Sequence, residues 1–213
     1  MIRRLAQLSL LLMMPAPAGA HRLDEYLQAS LISLSRDRVE VQLDLTPGVA
    51  VLPLVLAEID RDRDGEFSET ERAAYAAQVL RDLLVNSDGE PVRLSLVRVR
   101  FPEMPELRQG LGVIRLELSA NLPARWFGGS RELTLTNRHQ DRIAAYLVNS
   151  LVPLDSTIRI TAQSRDIRQS FYRVTYAQSA GRPTPPAWLW GAVAALAIRS
   201  TVLFRRRRAP AVR

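Results

Sequence analysis

The sequence predicts a mainly β protein: an antiparallel β-sandwich with one helix–loop–helix segment inserted between its second and third strands, and a C-terminal transmembrane helix. Three observations carry this. Apolar and polar residues alternate through eight or nine short runs, the period lengthens to that of a helix in one place, and an apolar stretch lies near the C-terminus. The chain has 213 residues, 47% of them hydrophobic, enough for one sizeable core.

The first element is an address. Arg3-Arg4, the apolar run Leu5 to Met14 and the small residues ending at Ala20 have the three regions of a secretory signal peptide, residues 1–20. Cleavage after Ala20 would expose His21. The body, residues 21–181, then alternates from 26 to 46 around a Ser35-Arg36-Asp37 turn, which predicts a hairpin. A second hairpin is expected around Asp88-Gly89, its outgoing strand running from Val92 through Val97 and Val99 to Phe101. Further strands are expected at 113–118, after a flexible Gly110-Leu111-Gly112 start, and at 132–136, 145–152, 158–162 and 171–176. Between the hairpins Leu52, Val55, Leu56 and Ile59 fall at helical spacing, with Pro53 in the first turn. Tyr75, Val79 and Leu83 repeat that spacing beyond an acidic loop.

The last elements concern a membrane. Residues 182–186 are a Pro-rich linker, and Ala187 to Phe204 is an 18-residue apolar stretch that as a helix would reach about 27 Å, enough to cross a bilayer. Trp188 and Trp190 suit the outer interface, and the basic tail 205–213 suits the cytoplasmic side. Arg199 lies close enough to the inner end to snorkel. The layout also resembles bacterial C-terminal sorting signals that are cut after export, without their Pro-Glu-Pro or Gly-Gly signature. Either way the body is expected to face the periplasm or exterior from a single-pass inner-membrane anchor.

The formal charge of +7 comes from these ends. All 29 basic residues are Arg, and the body holds 20 of them against all 22 acids, leaving it slightly negative and without a stripe for a phosphate backbone. Nucleic acid is therefore not an expected partner. The chain has no cysteine, which excludes disulfides, thiolate metal sites and a Cys nucleophile.

Residues 60–71 read Asp-Arg-Asp-Arg-Asp-Gly-Glu-Phe-Ser-Glu-Thr-Glu. Ca²⁺ is a hard cation that takes about seven oxygens, and this spacing supplies them. Asp60, Asp62 and Asp64 would each give a carboxylate oxygen, Glu66 its backbone carbonyl, Ser68 an oxygen or a bridging water, and Glu71 both oxygens. Gly65 permits the turn, and Phe67 falls where the family resemblance named below implies an apolar residue that ties the loop to the core. Ser68-Glu69-Thr70-Glu71 is also a capping box that could start a helix without metal. The spacing resembles the EF-hand family over residues 50–84, and the resemblance implies calcium binding. EF-hands normally pair, and Asn86-Ser87-Asp88-Gly89, the nearest second loop, fails on ligand position. A solitary hand among strands implies a structural or buffering site of extracellular-module affinity, about 10⁻⁴ to 10⁻³ M.

The opening His21-Arg22-Leu23-Asp24-Glu25-Tyr26 also resembles the mature start of bacterial exported or membrane-anchored proteins that carry an EF-hand. Its Ala-His start is similar to the external regions of some nickel-type permeases. An alternative expectation follows: a periplasmic Cu or Ni accessory protein in which the His21 amine and imidazole bind the metal, His139 joining if the fold brings it near. Neither a Gly-x-Ser-x-Gly nucleophile, nor a phosphate loop, nor a dinucleotide turn is present, so no enzymatic activity is expected. An envelope protein remains an unidentified prospective partner.

Overall fold

A computed structural model of the protein describes residues 24–123 and 128–179. The predicted signal peptide, His21, the Pro-rich linker, the apolar stretch and the basic tail lie outside the described residues. Within them no helix is long and apolar enough to cross a membrane.

The described chain is mainly β. In order it forms β1 (Tyr26–Leu34), β2 (Arg38–Pro47), α1 (Leu52–Ile59), α2 (Glu69–Asp82), β3 (Leu83–Ser87), β4 (Glu90–Val92), β5 (Ser95–Arg100), α3 (Met104–Arg108), β6 (Ile114–Asn121), β7 (Gly129–Asn137), β8 (Ala144–Ser150), β9 (Ile158–Arg165) and β10 (Phe171–Gln178). The strands make two five-stranded sheets, ordered β5-β6-β2-β1-β8 and β4-β3-β7-β10-β9. Alternation puts every second residue inward. Ile32 and Leu34 of β1, Val39 to Leu45 of β2 and Ile114 to Leu118 of β6 meet Leu133, Leu135, Tyr172, Val174 and Tyr176 of the other sheet in one buried cluster. Each such side chain, fully buried, contributes about 1.5–3 kcal/mol.

Two expectations about the strands are corrected. The first sheet is mixed, because β8 runs parallel to β1, from Tyr26 beside Ala144 to Ile32 beside Ser150. The cause is the route of the chain. β7 ends at the edge of the molecule where β1 begins, residues 138–143 cross there to the other sheet, and the Tyr26 N–H closes on the Ile143 carbonyl (2.8 Å). A strand launched from that point has to run the same way as β1.

The single strand expected from Val92 to Phe101 is in fact two. The Asp88-Gly89 turn has positive φ at both residues (53° and 88°), which returns β4 beside β3 as a two-residue hairpin. Arg93 and Leu94 then carry the chain across to the first sheet, where β5 pairs with β6 and bulges between Leu96 and Arg98. Alternation survives this step, so the pattern conceals the change of sheet.

Gly110-Leu111-Gly112 does not simply open a strand. It closes α3, which was not expected, with the Gly110 N–H on the Leu107 carbonyl (2.9 Å) and the Gly112 N–H on the Glu106 carbonyl (3.0 Å). A Cβ on Gly112 would lie 2.8 Å from the Leu107 backbone nitrogen. Leu107 is wholly buried, so the helix cannot retreat without disturbing the core. Gly112→Ala is therefore expected to cost about 1–3 kcal/mol through overpacking, read as a lowered midpoint in urea unfolding.

Candidate metal centre

The helix–loop–helix lies between β2 and β3, as its periodicity predicts. Leu52, Val55 and Ile59 of α1 and Tyr75, Ala76 and Val79 of α2 face the core. Between the helices Gln78 Nε2 donates to Glu58 Oε2 (2.6 Å). Asp60 ends α1, and Ser68 begins α2 as its N-cap. Phe67 is nearly buried, its ring centroid 5.2 Å from that of Phe101, which also lies against Tyr75 and beneath the Arg72 guanidinium. Phe101 is the anchor that sequence reasoning missed, since only the crossing into β5 delivers it there.

The loop turns through Arg63 (φ 62°) and Gly65 (φ 84°). The space around Gly65 is open, so the need for glycine is conformational rather than steric. Carboxylates fold the loop on itself: Asp60 Oδ2 accepts the Gly65 N–H (3.2 Å), Asp62 Oδ1 that of Asp64 (3.3 Å), and Asp64 Oδ1 that of Glu66 (2.8 Å). Glu71 Oε1 accepts the Arg61 N–H (2.8 Å), while its Oε2 takes the N–H (3.0 Å) and hydroxyl (2.8 Å) of Ser68. The capping box foreseen for Ser68 and Glu71 is therefore formed, and it joins the two ends of the loop. The Ser68 N–H, followed by the Ser68 hydroxyl and the Arg61 N–H, holds the Glu71 carboxyl below the usual range, which favours its anion.

Among the residues predicted as ligands, three carboxylates come together. Asp60, Asp62 and Glu71 each bring one carboxylate oxygen to within 4.8 Å of the others, a group able to hold a metal ion. Asp64 commits an oxygen to the Glu66 N–H, and the Ser68 hydroxyl lies 2.8 Å from Glu71 Oε2 at the edge of this group. Asp60 is 9% exposed, and its Oδ1 is buried without any hydrogen-bond partner.

His139 is not an open ligand. It is wholly buried, with Nδ1 2.8 Å from Asp82 Oδ2 and Nε2 3.0 Å from the Tyr75 hydroxyl, which in turn bonds the hydroxyl of Tyr26. Its backbone is held as tightly. The N–H donates to Asn137 Oδ1 (2.9 Å), and the carbonyl accepts from Gln28 Nε2 (2.9 Å) and the Tyr146 hydroxyl (3.0 Å). With both ring nitrogens engaged in a dry core, this histidine is structural. Sequence offered no signal for the cluster, because Tyr26, Gln28, Tyr75, Asp82 and His139 are scattered over more than a hundred positions.

Compared with known proteins, no family model matches the chain and no curated protein matches it at a significant level.

The buried cluster yields two expectations. Tyr75→Phe strands the His139 and Tyr26 polar atoms that its hydroxyl serves, costing about 1–3 kcal/mol in urea unfolding. Burial pushes the His139 pKa below its ordinary value, with Asp82 only partly opposing. The unfolded chain binds a proton near pH 6.5 that the folded chain refuses until lower pH. Stability is thus complete above about pH 6.5 and falls as the pH drops toward the folded-state pKa, by at most about 1.4 kcal/mol per unit. His139→Gln should flatten that decline in unfolding series run from pH 7.5 to about 5.

Proposed function

We propose that this protein is an exported, membrane-anchored domain that holds one Ca²⁺ in an EF-hand-like loop, as a structural and non-catalytic ligand. The observation that carries the reading is the Asp60 carboxylate. A buried carboxylate oxygen without a hydrogen-bond partner is costly unless a cation meets it, and the same carboxylate brings an oxygen to within 4.8 Å of those of Asp62 and Glu71. The donors are all hard oxygens, which suits Ca²⁺ and argues against a Cu or Ni role for this loop. Asp64, the Glu66 carbonyl and Ser68 would complete the coordination that the twelve-residue spacing implies. The capping box gives the ion a structural consequence, since Glu71 sits in the first turn of α2 and so ties the ion to the helix that packs on the core.

In the finer picture the two sheets form a sandwich interrupted by a single EF-hand, reached through a signal peptide and tethered to the inner membrane by residues 187–204. The domain then faces the periplasm or exterior, where Ca²⁺ is plentiful enough for a weak solitary site and where an envelope protein could be its partner. The absence from the sequence of a recognisable nucleophile or phosphate motif supports a non-catalytic role. So does the burial of His139, which removes the readiest acid–base group from substrate.

Calorimetric titration tests this directly. The wild-type protein should bind one Ca²⁺ per chain, and Asp60→Ala or Glu71→Gln should abolish the heat of binding; unchanged titrations in these variants would refute the assignment. Ca²⁺ at a hundred times its Kd should raise the wild-type unfolding free energy by about 2.7 kcal/mol and leave both variants unmoved.

A further inference from the structure

Most large apolar side chains of the described residues point inward, but the loop after β8 is an exception. Leu151, Val152 and Leu154 are 49%, 86% and 102% exposed. The loop is nevertheless firmly held at both ends. Leu151 donates its N–H to the Ile32 carbonyl (2.8 Å), and beyond Leu154 the Asp155 side chain takes the N–H (2.8 Å) and hydroxyl (2.6 Å) of Thr157, while the Ile158 N–H closes on the Asp155 carbonyl (3.0 Å). Leu154 is thus presented outward by an ordered turn.

The position of this loop gives it meaning. Ser179, the last described residue, donates its N–H to the Thr157 carbonyl (2.9 Å), and its own carbonyl accepts from the Arg36 guanidinium (2.6 Å). The chain therefore leaves the body three residues from Leu154 on the neighbouring strand. From there the seven residues 180–186 lead to the apolar stretch at Ala187 and reach at most about 25 Å when fully extended. Any anchor formed by that stretch holds this end of the domain at the bilayer, and the short tether gives the loop a high effective concentration of lipid.

We infer that the Leu151-Val152-Pro153-Leu154 loop docks into the interfacial layer of the phospholipid bilayer, making a second contact that orients the domain on its membrane. The inference rests on residues 187–204 being the span. The other fully exposed apolar tip, Ile167 (103%), lies in the turn between β9 and β10, at the far end of that hairpin from Ile158 and Gln178, and serves as the comparison site.

The chain has no cysteine, so single-cysteine variants can be labelled without interference. The full chain carrying Leu154→Cys, Ile167→Cys or Ala194→Cys, each with an environment-sensitive fluorophore, is reconstituted into phosphatidylethanolamine–phosphatidylglycerol vesicles containing a lipid-borne quencher. Docking is supported when the labels at positions 154 and 194 shift to the blue and lose most of their emission to the quencher while that at 167 keeps its aqueous spectrum. A water-exposed label at 154 beside a quenched one at 194 overturns docking alone. Unquenched labels at both overturn the span and docking with it, and equal quenching at 154 and 167 overturns the orientation. Both 154 and 167 are wholly exposed, so neither substitution disturbs the core.

Discussion

The imidazole of His139 is the joint on which the rest of the described structure depends. It is reached from β1 through Tyr26, from α2 through Tyr75 and Asp82, and its own peptide is gripped by Gln28, Asn137 and Tyr146. One residue in the crossing from β7 to β8 thereby fastens both sheets and the second helix at a single point. Polar groups in a dry interior permit few alternatives, since every shift leaves a donor or acceptor unpaired. Apolar packing would hold α2 near the sheets, whereas this cluster sets its rotation and height. Because Tyr75 lies one turn after Glu71, setting the helix also sets the carboxylate that closes the acidic loop.

A second polar group secures the other end of the interior. Arg131 of β7 is almost wholly buried, and its guanidinium reaches Asp88 (3.0 Å), Ser87 (3.0 Å) and Gln178 (3.4 Å) beside the ring of Tyr176. β7 is accordingly polar at both ends of its inner face, with Leu133 and Leu135 between. The apolar core defines the thickness between the sheets, while the polar ends fix how far one sheet can slide over the other. The acidic loop is attached to one of these fixed ends, and the chain leaves from the other.

Much of this was legible in the amino-acid sequence wherever the information is local. Alternation located the hairpin of β1 and β2 and the later strands, four-residue spacing located both helices, and Ser68 with Glu71 marked the start of α2. What was lost was non-local. No period-two pattern records which sheet a strand joins, so the passage through Arg93 and Leu94 and the parallel placement of β8 were invisible. The acidic loop shows the same division: its spacing picked out Asp60, Asp62 and Glu71, whose carboxylates do gather, but the burial of Asp60 and the cover supplied by Phe101 depend on the tertiary path. The partners of His139 were hidden for the same reason, since Tyr75 and Asp82 lie on another element.

The arrangement of the strands has an electrostatic consequence. β2 begins beside the turn that binds Ser179 and runs about 30 Å, over ten residues, to the end of the sheet from which α1 leads on to the acidic loop. That is several Debye lengths at physiological salt, where the field of an anionic lipid surface and its crowd of counterions has died away. On the proposed anchoring, an ion site at this height would equilibrate with the bulk ion concentration of its compartment, its occupancy insulated from changes in the lipid charge beneath it.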